Sequence, residues 1–166
     1  MKNNSRRNVF LLAILFLLSC GKQDLLSPIP AEEIKNYSIS FKQDTVPVKL
    51  TVTSARKENV GNLLVTSIDG KFPDSILQMN NLIIRVTGDS ARPYSYTEIF
   101  ASYTDSSGNS FANDVADTIN TVRITKIEKR QNGNVEGSFT IRVSNFTKTK
   151  TLLLNNGKFS FFCIGN

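Results

Sequence analysis

The chain has 166 residues, of which 40% are hydrophobic and 20% are charged, with a formal net charge of +6 and neither histidine nor tryptophan. Without histidine the commonest general base and the commonest zinc ligand are missing, so histidine triads and zinc hydrolysis are excluded. Residues 1–19 hold three of the twenty basic residues and none of the fourteen acidic ones, so the rest carries only +3. This small, dispersed excess predicts no nucleic-acid partner.

The first predicted element is an export signal. The basic start MKNNSRR precedes an apolar run over residues 9–18, which is too short for a membrane-spanning helix of about 20 residues. The run ends in LLSC, residues 17–20, which resembles the lipobox of bacterial lipoproteins, whose cysteine becomes the acylated first residue of the mature chain. We therefore predict that residues 1–19 are a signal peptide and that Cys20 carries fatty acyl chains such as palmitate, which hold the protein on a membrane.

The residues after the cysteine bear on location. Gly21 stands where an aspartate retains enteric lipoproteins in the inner membrane, which predicts the outer membrane. The following Lys22-Gln23-Asp24 loosely resembles the export tag of Bacteroidota surface lipoproteins, so periplasmic and surface-facing domains both stay open. Residues 20–36 contain two prolines and no sustained hydrophobic period, which is typical of a tether.

A series of short strands is predicted next. Apolar and polar residues alternate in YSISFK from Tyr37 and in VPVKLTV from Val46, a period that gives strands with one buried face. Asn-Gly pairs at Asn132 and Asn156 predict two successive hairpins, and Pro47 predicts an edge strand. Further runs lie at residues 63–68, 81–88, 96–104, 121–129, 138–145, 150–154 and 158–164.

These elements predict the fold class. We expect one all-β domain over residues 37–166, an antiparallel β-sandwich of eight or nine short strands, with a small β-barrel as the alternative. With Cys20 acylated, Cys163 would have no partner for an intrachain disulfide, and we expect its thiol to pack as a small hydrophobic group.

The densest aromatic segment is RPYSYTEIFASY, residues 92–103. As a continuous strand it would place Phe100 and every second residue before it on one face. Aromatic rings beside charged groups can hold a sugar or a peptide, although rings of this kind also fill protein cores. The predicted ligand-contacting residues are Arg85, Arg92, Tyr94, Tyr96 and Glu98.

Catalytic and metal-binding chemistry has weaker support in the sequence. A glycosidase needs two carboxyl groups about 5 to 9.5 Å apart, one with a raised pKa, and Glu98 is the one glutamate among aromatic neighbours. The loop DSSGN, residues 105–109, and Asp114 with Asp117 offer oxygen ligands, but their spacing does not match an EF-hand and such residues gather in turns. We predict no metal, no other cofactor and no enzyme.

Four triplets of Asp, then Ser or Thr, then an apolar residue resemble the sites at which Bacteroidota O-glycosylate exported proteins. A turn aspartate followed by a β-former gives the same string, so the alternative is a strand start. A glycan at such a site would be a bulky surface feature. The hydroxyl residues of the triplets are Thr45, Ser75, Ser90 and Thr118.

Two glycine motifs carry a family resemblance. GSFTI at residues 137–141, followed by NGKFS at residues 156–160, resembles the end of a family of small Bacteroidota lipoproteins with a β-domain of unknown function. The resemblance extends loosely over residues 63–164. We expect Gly137 at the start of a strand after a tight hairpin, and Gly157 at a position that needs positive φ. The family has no established activity, so the resemblance implies fold and location only.

These observations predict a lipid-anchored envelope protein. Its β-domain is expected to be a non-enzymatic binding module for a glycan, a peptide or a partner protein. The alternatives are a structural or assembly lipoprotein without a small ligand and, further, a carboxylate-dependent hydrolase that uses Glu98.

Overall fold

The computed structural model describes residues 37–72, 81–128 and 133–164. The predicted signal peptide, Cys20, the tether and Ser75 lie outside these ranges, as does the side chain of Cys163. The described residues belong to one compact unit, Asn36–Asn166.

Eleven strands and one short 3-10 helix make up the described chain. In chain order they are β1 (Ser38–Gln43), β2 (Val46–Leu50), β3 (Val52–Val60), β4 (Leu63–Lys71), β5 (Leu82–Thr87), β6 (Pro93–Tyr94), the 3-10 helix Tyr96–Glu98, β7 (Ile99–Thr104), β8 (Ser110–Asn113), β9 (Thr121–Ile127), β10 (Gly133–Ser144) and β11 (Thr151–Ile164).

Hydrogen bonding joins all eleven strands into a nearly closed, barrel-like sheet. One layer has the order β2-β1-β11-β10-β9-β6 and the other has the order β3-β4-β5-β7-β8. Short pairings join the layers at both margins, β11 with β3 and β10 with β8. Every pairing is antiparallel except that of β11 with β3. The all-β prediction is confirmed, and this architecture fits both the sandwich and the small barrel.

The core lies between the two layers. Ile68, Ile84 and Ala101 are in register on β4, β5 and β7, and all three are fully buried. Tyr103 links the layers, because its ring meets that of Phe41 edge-on with centroids 5.7 Å apart. Alternation of apolar residues therefore buries one face of each layer, as the period-two pattern predicts.

The C-terminal strands differ from the prediction. We expected a hairpin at Asn156-Gly157, but β11 runs straight through these residues. The pairing of β10 with β11 shifts register between Phe139 and Ile141, and Asn156 has a φ of +51°. The extra residue on β11 forms a β-bulge. The Asn-Gly pair therefore occupies a bulge within the strand and not a turn that reverses the chain.

The reversal between β10 and β11 lies instead at residues 145–150. At the other predicted hairpin β9 and β10 do pair antiparallel, while the turn around Asn132 lies outside the described residues. Pro47 is on β2, which ends its layer, so the predicted edge position is confirmed.

Two glycine expectations were wrong. Gly137 lies inside β10 and not at its start, and Gly157 is not among the glycines with positive φ, because Asn156 takes that conformation. The strand count is also higher than expected, since β3, β6 and β8 have no clear alternation in the sequence.

Candidate functional site

The aromatic segment 92–103 is not one strand. The short β6 ends at Tyr94, a 3-10 turn covers Tyr96–Glu98, and β7 starts at Ile99. A capping box makes the turn, because the Ser95 N–H and hydroxyl both donate to Glu98 Oε2 at 2.9 Å. The predicted common face of Tyr94, Tyr96, Glu98 and Phe100 is therefore wrong.

Tyr94 is held inside the domain. Its ring is buried, and its hydroxyl donates to the Ser90 carbonyl at 2.8 Å and accepts from the Ser90 N–H at 3.1 Å. The guanidinium carbon of Arg92 lies 3.9 Å from the ring centroid, so one face of the ring is covered by a cation. This aromatic ring packs in the core and fixes the turn after β5.

Arg92 and Glu98 form a bidentate ion pair. The two guanidinium nitrogens lie 2.5 and 3.2 Å from the two carboxylate oxygens. The hydrogen bond from Arg92 is the largest cause that lowers the pKa of Glu98 to about 2, and the Ser95 N–H adds to it. At neutral pH Glu98 is therefore ionised, which is the opposite of what a general acid in glycoside cleavage needs.

Arg85 does not join this cluster. It lies on β5, with its Nε 3.2 Å from Glu58 Oε1, while Tyr96 is half-buried in the 3-10 turn. The structure thus brings Arg92, Tyr94 and Glu98 together and places Arg85 in a separate charged group. Contact of these five residues with a ligand stays a prediction.

The charged group around Arg85 lies on the outward face of β3, β4 and β5. It includes Asp69, which is 1% exposed, accepts from Ser67 at 3.4 Å and has an oxygen 3.8 Å from Arg56. Burial is the largest cause that raises the pKa of Asp69, and Arg56 opposes it. Asp69 follows a strand-like run and precedes a glycine, a context that does not predict a buried aspartate.

A groove with a volume of about 870 Å³ opens on the outer side of β7 and β8. Phe100 and Val115 are about half exposed and Phe146 is fully exposed, so three large apolar side chains face solvent there. Its walls come from β7, β8, the loop after β8 and the β10–β11 hairpin, through residues 100, 102, 110–117, 144–146 and 148. The volume falls in the range of about 300 to 1,000 Å³ typical of small-ligand sites.

Asn113 lines this groove at the end of β8. Its side-chain oxygen accepts from the Ala101 N–H at 2.7 Å, and its amide donates to the Ile99 carbonyl at 3.0 Å. These two bonds take the place of the backbone hydrogen bonds that a longer β8 would make to β7. The chain can therefore leave the sheet at Asn113 while these β7 backbone groups keep hydrogen-bond partners. The loop that carries Val115 therefore stands out from the sheet.

The rim of the groove carries balanced charge. Asp114 lies 3.3 Å from Lys148, and Asp117 lies 3.1 Å from Arg142. The Ala116 N–H and Lys148 together lower the pKa of Asp114, which keeps this carboxylate ionised. Each carboxylate has a cation beside it, so the rim has little net charge to attract a charged ligand.

Sequence reasoning found only part of this groove. Phe100 lies in the aromatic segment, but Val115 and Phe146 belong to none of the predicted elements, because each is the one large apolar residue of a polar loop. An isolated large apolar residue among Asn, Asp, Thr and Lys is the signal that could have identified them, since nothing in a turn requires it.

The predicted modification sites that the structure describes are all in turns and exposed. Thr45 follows Asp44 in the β1–β2 turn, Ser90 follows β5, and Thr118 precedes β9. Glycosylation at these positions stays a prediction.

In the candidate calcium loop, residues 105–109, the Asp105 carboxylate is engaged in hydrogen bonds to the loop's own backbone. One carboxylate oxygen of Asp105 accepts from the N–H groups of Ser107 and Asn109 at 3.0 and 2.9 Å. Within residues 37–72, 81–128 and 133–164, no three Cys, Asp or Glu side chains are grouped as metal ligands. The same part of the chain contains no helix long and apolar enough to cross a membrane.

Comparison with known proteins gives no further identification. No family model, curated protein or solved structure matches the chain.

Proposed function

We propose that this protein is a lipid-anchored envelope protein, held on the outer membrane through Cys20, whose β-domain binds a glycan in the groove beside β7 and β8. The observation that carries the proposal is the presence of three exposed apolar side chains, Phe100, Val115 and Phe146, around one concavity. Soluble domains rarely group large apolar side chains at the surface unless the patch contacts a ligand or a partner.

The groove favours a neutral ligand with both apolar and hydroxyl surfaces. Its two carboxylates are each paired with a cation, so neither a basic nor an acidic peptide gains a net charge attraction. Ser102, Ser110 and Ser144 line it with hydroxyl groups beside the exposed rings of Phe100 and Phe146. Aromatic faces next to hydrogen-bonding groups suit a sugar, whose ring has an apolar face and a hydroxyl edge.

The geometry also disfavours an extended peptide that would add a strand here. On β7 one edge is paired with β5, and the other is paired with β8 or bonded by the Asn113 side chain. Strand addition needs a row of free N–H and C=O groups. Recognition must therefore come from side chains, which again suits a small glycan better than a strand-like peptide.

Native gel electrophoresis through gels that contain neutral polysaccharides, such as dextran, xylan or pullulan, tests the proposal with the full-length protein in detergent. We expect at least one polysaccharide to retard the wild type, and Phe146→Ser to weaken the retardation about 3- to 10-fold, the value of one aromatic contact. Val46→Ser is the matched control, because Val46 is an exposed apolar residue that does not line the groove.

Two outcomes would contradict the proposal. Equal retardation of the wild type and Phe146→Ser would place any glycan site elsewhere, and the Arg92, Tyr94 and Glu98 cluster would be the next region to test. A wild type that no polysaccharide retards would favour the structural or assembly alternative.

A further inference from the structure

The β3–β4 hairpin ends in an apolar tip, which we define as Val60, Leu63 and Leu64. These side chains are 55%, 56% and 36% exposed. A two-residue turn, Gly61-Asn62, connects the strands, and Gly61 has a φ of +62°. No charged residue occurs from residue 59 to residue 68, so the tip itself carries no charge.

The tip is apolar on both faces of the hairpin. Val60 is the cross-strand partner of Leu63 and shares its face, whereas Leu64 pairs with Asn59 and points to the opposite face. A hairpin that packs against a partner protein needs one apolar face only. A tip with apolar side chains on both sides is suited to immersion in a medium that surrounds it, such as the interfacial region of a lipid bilayer.

The tip and the start of the domain lie at the same end of the sheet. β1 begins at Ser38, opposite Ser160 on the antiparallel β11. β11 then runs parallel to β3, with Cys163 opposite Ala55, and β3 continues to Val60. From the level of Ser38 to Val60 there are therefore eight residue steps along the strands, three on β11 and five on β3. At 3.3 Å per residue this is about 26 Å, in the direction from which the chain enters β1.

The length of chain before the domain matches this distance. Sixteen residues separate Cys20 from Tyr37. A flexible chain of this length has a root-mean-square span of about 22 Å and a maximum of about 55 Å. An acyl group on Cys20 therefore allows the tip to reach the lipid surface in ordinary conformations of such a chain.

We infer that the apolar tip docks the domain onto the lipid surface to which Cys20 is attached, and so orients the domain. The inference rests on the proposed attachment through Cys20. Docking by the tip directs the β10–β11 hairpin away from the membrane, because Phe146 lies at the opposite end of β11 from the β3 contact. The groove is then presented to the space beyond the bilayer.

A single tryptophan provides the test, since the natural chain has none. Leu63→Trp and, as matched control, Phe146→Trp are made in the mature protein acylated at Cys20 and reconstituted into phosphatidylcholine vesicles. Both positions are more than half exposed, so the larger ring is accommodated. The control also accounts for the affinity of tryptophan itself for membrane interfaces.

The readout is the fluorescence emission of the tryptophan. Spin-labelled lipid in the bilayer quenches a ring that lies in the membrane, whereas iodide quenches a ring that is exposed to water. For Leu63→Trp we expect at least a two-fold loss of emission with the spin-labelled lipid and at least two-fold protection from iodide, whereas Phe146→Trp should show neither. Protein that co-floats with vesicles but leaves Leu63→Trp fully open to iodide overturns the docking inference and leaves the anchor intact. Protein that does not co-float overturns both.

Discussion

The ring of Phe159 packs over Gly137, its cross-strand partner on β10, and Phe139 packs in the same way over Gly157 on β11. The two rings stack with centroids 6.5 Å apart. Each Gly-x-Phe motif therefore supplies the space for the ring of the other motif. The pattern that carries the family resemblance has a packing role, because an aromatic ring over a strand glycine covers backbone that would otherwise be poorly packed.

Gly157→Ala should destabilise the domain by about 1 to 3 kcal/mol, the usual penalty of overpacking a core. A Cβ at this position would lie 2.5 Å from the Phe139 ring. Replacing the ring by a smaller side chain with Phe139→Leu should restore at least about 1 kcal/mol of the free energy of unfolding in the double variant. Urea unfolding of the four proteins of this cycle measures the coupling, and additive effects would refute the reciprocal packing.

Gly137→Ala provides the contrasting case. A Cβ here would overlap the backbone carbonyl of Arg123 as well as the Phe159 ring, and a backbone atom cannot move aside as a ring can. We expect a loss of at least about 3 kcal/mol and little recovery with Phe159→Leu. Full rescue by Phe159→Leu in urea unfolding would show that the carbonyl contact is not limiting.

Asn120→Ala should cost about 1 to 3 kcal/mol, because it leaves the Arg142 N–H without its partner and removes one of the two hydrogen bonds to the Asp114 carbonyl, the other being from the Asp117 N–H. The buried Asn120 amide donates to the Asp114 carbonyl at 2.9 Å, and its oxygen accepts from the Arg142 N–H at 2.8 Å. Asn59→Ala, at an exposed position on β3, should change the free energy of unfolding by less than about 0.5 kcal/mol. Thermal melts compare the two, and equal effects would contradict the bridging role.

The Arg92–Glu98 pair predicts a pH dependence of stability. Since the folded-state pKa of Glu98 is lowered to about 2 from 4.5, its stabilising effect is complete above pH 4.5 and is lost as the pH falls toward 2. Glu98→Gln should therefore lower the melting temperature at pH 6 and have progressively less effect between pH 4.5 and pH 2. A difference that stays constant over this range would mean that the carboxylate charge does not contribute.

Asp69 should behave in the opposite sense. Burial raises its folded-state pKa above 3.8, so its ionisation opposes folding at neutral pH even with Arg56 nearby. We expect Asp69→Asn to raise the melting temperature at pH 7, with the gain fading as the pH drops below 3.8. Calorimetry at pH 7 checks the sign, and a strong destabilisation would show that Arg56 and Ser67 outweigh the desolvation.

The sequence was sufficient for the fold class because alternation with period two survives in most strands and turn residues bound them. It was insufficient at Asn156-Gly157, where a bulge and a hairpin use the same residues, and the choice depends on β1 and β10 flanking β11 on both sides. Such non-local pairing has no signature within a short window.

The candidate site was less accessible to sequence reasoning. The alternating aromatic residues of segment 92–103 predicted one ligand-contacting face of a strand. The Ser95–Glu98 capping box interrupts that strand, and Tyr94 lies in the core. Phe146 and Val115 converge with Phe100 only because Asn113 releases the chain from β8 beside the β10–β11 hairpin. Convergence of distant loops depends on topology, which one sequence does not encode locally.

Acylation of Cys20 is the claim on which both the envelope role and the orientation by the hairpin tip depend. Intact-mass and fragment mass spectrometry of the protein purified from the membranes of its producing cell tests this claim most directly. We predict a mature chain that begins at Cys20 and carries the added mass of fatty acyl groups on that residue. A chain that retains residues 1–19, or one that begins at an unmodified Cys20, would contradict the account.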